Sequence, residues 1–102
     1  LMHDDTVDRT TDGHGRVSDL TLAQIRALHV LVNKGVKGDF SCMKVPTFEE
    51  VLKLAHNRLY IDIDMKTSRV DLVLEAVEAE GMLDYATIST GSISKAKEAR
   101  KL

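Results

Sequence analysis

Residues 59–66, Leu-Tyr-Ile-Asp-Ile-Asp-Met-Lys, alternate apolar and polar side chains without interruption. A period of two belongs to a β-strand, because successive side chains leave opposite faces of the pleat. Leu59, Ile61, Ile63 and Met65 therefore share one face, and Tyr60, Asp62, Asp64 and Lys66 share the other. The apolar face needs a cover, and the flanking sequence supplies helical patterns to make one.

Thr21 and Gln24 have the spacing of a capping box, and Leu22, Ile25 and Leu28 form an apolar stripe behind them. Residues 33–46 lose this pattern at Gly35, Gly38 and Pro46, so a loop is expected there. Thr47 and Glu50 repeat the box spacing before Val51, Leu52, Leu54 and Ala55, the expected buried face of a second helix. After the strand, Ser68 and Asp71 predict the cap of a third helix. Val70, Val73, Leu74 and Val77 are its core positions, and Gly81 is its stop. Residues 85–90, Tyr-Ala-Thr-Ile-Ser-Thr, make a second strand. Ser92 or Ser94 opens a last helix, with Ile93, Ala96, Ala99 and Leu102 along one face. The order is loop, helix, helix, strand, helix, strand, helix. Strands alternating with helices predict parallel pairing in an α/β fold.

With 102 residues and 43% hydrophobic content, the chain suffices for one small core. Fourteen basic against 16 acidic residues leave a net charge of −2, with no basic excess to attract nucleic acid. No apolar run approaches the roughly 18 residues of a membrane helix. The single cysteine, Cys42, excludes an internal disulfide and a Cys-rich metal site. The sequence does not indicate a cellular compartment.

The polar strand face is the sharpest chemical signal. If the apolar face packs on helices, Asp62, Asp64 and Lys66 point the other way, where unpaired charges are costly. Two carboxylates and an ammonium suit a hard divalent cation beside a phosphate. A half-exposed strand with a solvated charged face accounts for the pattern equally well. Residues 3–20, HDDTVDRTTDGHGRVSDL, are polar and turn-rich. Gly13 and Gly15 mark tight turns or close backbone approach. The Asp, Thr and Arg residues can cross-brace the loop through side-chain to backbone bonds. His3 beside Asp4 is a candidate acid/base pair; His14, His29 and His56 are read as structural or surface residues.

Taken together, His3-Asp4 followed by Arg9-Thr10-Thr11-Asp12-Gly13-His14-Gly15 resembles the His-Asp and Arg-Thr-Thr signature of the glycerophosphodiester phosphodiesterases. Val17 to Leu22, Val45-Pro46-Thr47-Phe48-Glu49-Glu50-Val51-Leu52 and Asp64-Met65-Lys66 are similar to the family's later blocks, in the same order. The resemblance covers nearly the whole chain. It implies part of a TIM (β/α)₈ barrel with the small insertion that follows the His-Asp motif. Residues 1–44 would be the loop and insertion segment, and 45–102 a helix-strand-helix-strand-helix barrel segment. It also implies a divalent cation, Ca²⁺ or Mg²⁺, and hydrolysis of a small-molecule glycerophosphodiester to glycerol 3-phosphate and an alcohol. The family's mechanism uses two acid/base histidines, with the substrate's own 2-hydroxyl as nucleophile. By position, His3 matches the second catalytic histidine, Lys66 the basic residue near phosphate, and Asp64 the third carboxylate ligand of the metal. Arg9-Thr10-Thr11 is read as bracing the insertion.

Two departures follow from the same resemblance. Asp64 stands where the family usually has Glu, one methylene longer, and Asp62 could compensate. The family's first histidine and its first two carboxylate ligands precede the His-Asp motif and are absent from these residues, so the metal site is incomplete here. A barrel usually needs about 250 residues. These residues alone are therefore expected to be inactive, with self-association through open strand edges or poor order near residues 1–20. Two rival readings remain. One is a degenerate relative that binds phosphodiesters or serves as an interaction domain. The other is an unrelated α/β interaction module, which leaves the His-Asp and Arg-Thr-Thr block unexplained.

Overall fold

In the computed structural model, which describes residues 1–32 and 35–101, the alternating segment forms strand β1, Ile61–Asp64. It pairs in parallel with β2, Ala86–Ser89, in the register Ile61 to Ala86 through Asp64 to Ser89. Helix α3, Val70–Ala79, makes the crossover that parallel strands require. The chain divides into two units, Leu1–Thr47 and Phe48–Leu102.

In the second unit, α2, Phe48–Ala55, contributes buried Leu52 and Ala55. They join Val77 of α3 and Met82 in one cluster, against which Ile61, Ile63 and Ala86 pack from the strands. The helices thus cover the apolar face at Ile61 and Ile63, as the alternation predicts, whereas Leu59, expected on the same face, precedes the strand and is 65% exposed. Gly81 ends α3 with φ of +67°, a conformation open to glycine at little cost. The Gly81 amide donates to Glu78 O at 2.9 Å and the Met82 amide to Val77 O at 3.0 Å. This is a Schellman turn, and its two apolar corners, Val77 and Met82, are both core residues. Helix α4, Ile93–Lys101, begins after Ser92, whose Oγ accepts from the Lys95 amide at 3.4 Å.

The first unit has little regular structure. A 3₁₀ turn at Val17–Asp19 precedes α1, Leu22–Ala27. Thr21 caps α1 with the full reciprocal box: its amide donates to Gln24 Oε1 at 2.9 Å, and its hydroxyl accepts from the Gln24 amide at 3.2 Å. The preceding loop folds back on itself: the Val7 amide donates to Gly15 O, and the Val17 amide to Asp5 O. A second contact joins Thr11 and Val30 as an antiparallel bridge.

Several sequence expectations are corrected. Leu54 is 66% exposed, because it lies two residues, about 200° of helix turn, from buried Leu52. Leu22 is exposed on the first turn of a helix of only six residues. Ser68 does not cap α3. The N-cap is Arg69, without a side-chain cap bond, and the Thr67 hydroxyl accepts the Arg69 amide instead. Asp71, expected to reach back to Ser68, is held by the Arg69 guanidinium through two bonds of 3.0 and 2.7 Å. A charge-assisted fork outcompetes a single neutral bond. The second strand begins one residue late, since Tyr85 closes a 3₁₀ turn at Leu83–Tyr85, and it ends at Ser89. Ile93 and Ala96 of α4 are exposed. Leu102 and the loop positions 33 and 34 lie outside the described residues.

The orientation of α2 gives a direct test. Leu52→Ala should lower the unfolding free energy by about 2–5 kcal/mol, since it opens a cavity in the cluster. Leu54→Ala should change it by less than about 0.5 kcal/mol. Urea denaturation followed by circular dichroism reads both, and equal losses would contradict the orientation.

Candidate functional site

The polar loop of the first unit is organised by carboxylates that each accept more than one bond. Asp8 accepts the Gly15 amide at 2.9 Å through Oδ1, and its Oδ2 lies 3.1 Å from His14 Nδ1. Asp12 accepts the His29 amide at 2.8 Å through Oδ1, and its Oδ2 is 3.2 Å from His29 Nδ1. Between them the buried Thr11 hydroxyl donates to Val7 O at 2.7 Å and accepts the Gly13 amide at 3.1 Å. A Cβ added at Gly13 would lie 2.6 Å from a Leu28 methyl, so any larger residue there would have to displace the Leu28 side chain. Cross-bracing read from the sequence is therefore present in atomic detail. His14 and His29 are thus tied to Asp8 and Asp12, and His56 lies 4.0 Å from Glu80.

His3 stands at the edge of this loop with its side chain 77% exposed. Its Nδ1 lies 2.9 Å from Asp4 Oδ1. Arg9 grips the same carboxylate as a fork, Nε donating to Oδ2 at 2.7 Å and Nη2 to Oδ1 at 2.8 Å. The Arg9 bonds first, and the His3 bond second, hold the Asp4 carboxyl well below the usual carboxylate range. An ionised carboxylate only accepts, so Nδ1 carries the proton in this pair and Nε2 is the nitrogen available to exchange one. The sequence singled out His3. It did not reveal the Arg9 fork on Asp4, because a spacing of five says nothing about which side chains a loop brings together.

In the second unit the polar face of β1 and β2 is arranged in tiers. At the start of the strands the rings of Tyr60 and Tyr85 meet with centroids 5.2 Å apart. Next, Asp62 Oδ1 accepts the Thr87 hydroxyl at 2.9 Å, and both its oxygens lie within 2.9 Å of the Ser89 hydroxyl. Beyond it Lys66 Nζ lies 2.8 Å from Asp64 Oδ2, both side chains being more than half exposed. Lys66 and Asp64 are thus brought together as an ion pair. Asp62 is engaged by hydroxyls of the neighbouring strand. The parallel register sets this up, since it places Thr87 opposite Asp62 and Ser89 opposite Asp64.

Among the described residues no group of three or more His, Cys, Asp or Glu side chains is placed to hold a metal ion. A Ca²⁺ ion takes about six to eight oxygens. Asp64, paired to an ammonium, does not meet that demand, so the described residues do not by themselves fit a divalent cation. No described helix is long and apolar enough to cross a membrane.

A family model described as the glycerophosphoryl diester phosphodiesterase family matches residues 1–101. The chain is 49% identical over 67 residues to glycerophosphodiester phosphodiesterase 1 of Homo sapiens, a match spanning 65% of this chain and 20% of that protein. It is 28% identical over its whole length to a glycerophosphodiester phosphodiesterase of Caldanaerobacter subterraneus, covering 44% of that protein. The fold matches the crystal structure of a glycerophosphodiester phosphodiesterase from Agrobacterium tumefaciens with a TM-score of 0.84 at 24% identity. That match covers 98% of this chain and 42% of the other. The chain thus spans less than half the length of these relatives.

The depressed carboxyls give a pH prediction. Asp8 is lowered first by the Gly15 amide and Asp12 first by the His29 amide. Folded values below the ordinary carboxylate value mean that their stabilisation is complete above about pH 4 and is lost as pH falls through the depressed values. The side-chain carboxyl ¹³C shifts of Asp8 and Asp12, followed by NMR, should therefore show their carboxyl titration step centred below about pH 4, the ordinary carboxylate value. A step centred at or above that value would contradict the bracing.

Proposed function

The chain belongs to the glycerophosphoryl diester phosphodiesterase family, and from that premise we propose that it supplies one part of the active site of an enzyme hydrolysing glycerophosphodiesters. The observation that carries the reading is the contact of His3 Nδ1 with the ionised Asp4 carboxylate, within the loop that the family signature encodes. A histidine so held has one nitrogen committed to orientation and one left for chemistry. In this reading the chain is part of a TIM barrel, with residues 1–44 as the loop and insertion segment and 45–102 as the barrel segment.

The substrate's 2-hydroxyl gives its proton to the family's other acid/base histidine, supplied from outside these residues, and its oxygen attacks phosphorus, closing a cyclic phosphate as the bond to the alcohol oxygen breaks. His3, protonated on Nε2, gives that proton to the departing oxygen, so the alcohol leaves neutral. Water then opens the cyclic phosphate to glycerol 3-phosphate. Lys66 places a positive charge where the phosphoryl oxygens gain negative charge. Asp64 keeps the ammonium in place at 2.8 Å until phosphate competes for it.

The test is glycerol 3-phosphate release from glycerophosphocholine by a full-length protein carrying this segment. His3→Ala should lower kcat by about 10²–10⁴-fold, the usual worth of one acid/base group. Lys66→Ala should reduce kcat/KM without unfolding the protein. Residues 1–102 alone should release nothing above background. Full activity in His3→Ala would overturn the assignment. No release by a folded wild-type protein would favour phosphodiester binding without turnover.

A further inference from the structure

Arg9 is spent in an unusual way for an exposed arginine. Its fork is not directed at a ligand or at a distant element but at the one carboxylate that holds His3. An exposed ion pair contributes little to stability. The consequence of this pair lies in what it does to Asp4. Oδ2 is taken by Arg9 alone, while Oδ1 is shared between Arg9 Nη2 at 2.8 Å and His3 Nδ1 at 2.9 Å. Two parallel bonds fix the plane of a carboxylate, which a single bond does not. The plane fixes where Oδ1 stands, and Oδ1 fixes the imidazole. Without the fork, Asp4 turns about its own side-chain bonds and offers either oxygen, and His3, so exposed, has little else to orient it.

The loop backbone places Arg9 for this task. The Thr11 amide donates to Val7 O at 3.1 Å and the Thr11 hydroxyl to the same oxygen at 2.7 Å, closing the turn that carries Arg9 back towards Asp4. Val7, fully buried, anchors that turn. We propose that Arg9 is a positioning residue that acts through Asp4 to hold His3 as the Nδ1–H tautomer, with Nε2 set for proton transfer. This rests on the reading of His3 as the acid/base group. It assigns Arg9 no contact with substrate.

The test uses the full-length protein labelled with ¹⁵N-histidine, in wild type, Arg9→Lys, Asp4→Asn and the double variant. Lysine keeps the charge and loses the fork. Long-range ¹H–¹⁵N spectra at a pH where the ring is neutral should show His3 with its proton on Nδ1 in the wild type, and a mixture of tautomers in Arg9→Lys. Kinetically, Arg9→Lys should lower kcat about tenfold with KM unchanged, in line with losses at partners that orient a functional side chain. In the Asp4→Asn background the same change should cost less than about twofold, because coupled residues are not additive. Gly15 and His29 amide shifts identical to wild type show that the loop remains folded. If Arg9→Lys disturbs them, Arg9→Gln and the Asp4→Asn background carry the comparison. An unchanged His3 tautomer in Arg9→Lys and Arg9→Gln would overturn the proposal, as would equal losses with and without the Asp4 carboxylate. A tautomer shift in a protein that shows no turnover would uphold the positioning role and sink the catalytic reading instead.

Discussion

The capacity of one carboxylate to accept several bonds is the constraint on which the first unit depends. Little of this unit is buried: Val7, Thr11 and Val45 are its buried residues among those described. A segment with so little apolar burial has to satisfy and order its backbone by other means. Asp8 and Asp12 do so by each taking a backbone amide on one oxygen and an imidazole nitrogen on the other. Asp4 uses the same capacity differently. It collects a guanidinium and an imidazole, and so ties Arg9 and His3 to one carboxylate.

The second unit solves a different problem. Its strands are covered on one side by α2 and α3, so the polar side must satisfy its charges locally. Asp62 does this across the strand pair, through hydroxyls that lie 25 and 27 residues away in the chain. Asp64 does it within its own strand, through Lys66 two residues on. One carboxylate is therefore committed to holding β1 against β2. The other is paired with an exposed ammonium just past the strand's end. Two aspartates on one strand face thus have separate parts, and the neighbouring strand assigns them.

Periodicity made much of this legible. The alternation of residues 61–66 fixed which side of β1 meets the core, and the Thr21–Gln24 spacing located α1 by its cap. Gly81 marked the end of α3 for the reason that makes glycine cheap there. The errors share a cause as well. Leu54 was grouped with Leu52 by composition although the helix carries it to the far side. Ser68 lost its role to a competition that spacing does not describe, in which Arg69 captured Asp71 first. At the site, the sequence picked out His3, Asp64 and Lys66 by type and position. The partners of Asp4 and Asp62 stayed hidden, because a loop and a crossover, not a repeat, decide which side chains meet.

The distances along the chain also differ between the two units. The bonds that shape the His3 loop are of two ranges: Thr11 to Val7, Arg9 to Asp4 and Asp8 to Gly15, four, five and seven apart, and Asp12 to His29, 17 apart. The shorter ones close at small entropic cost. The core cluster of Leu52, Ala55, Val77 and Met82 joins elements up to thirty residues apart and carries the second unit. Damage to the cluster therefore falls on the strands that present Asp64 and Lys66. In the first unit one short signature, rich in Asp, Thr and Gly, orders a loop that its few buried residues alone could not.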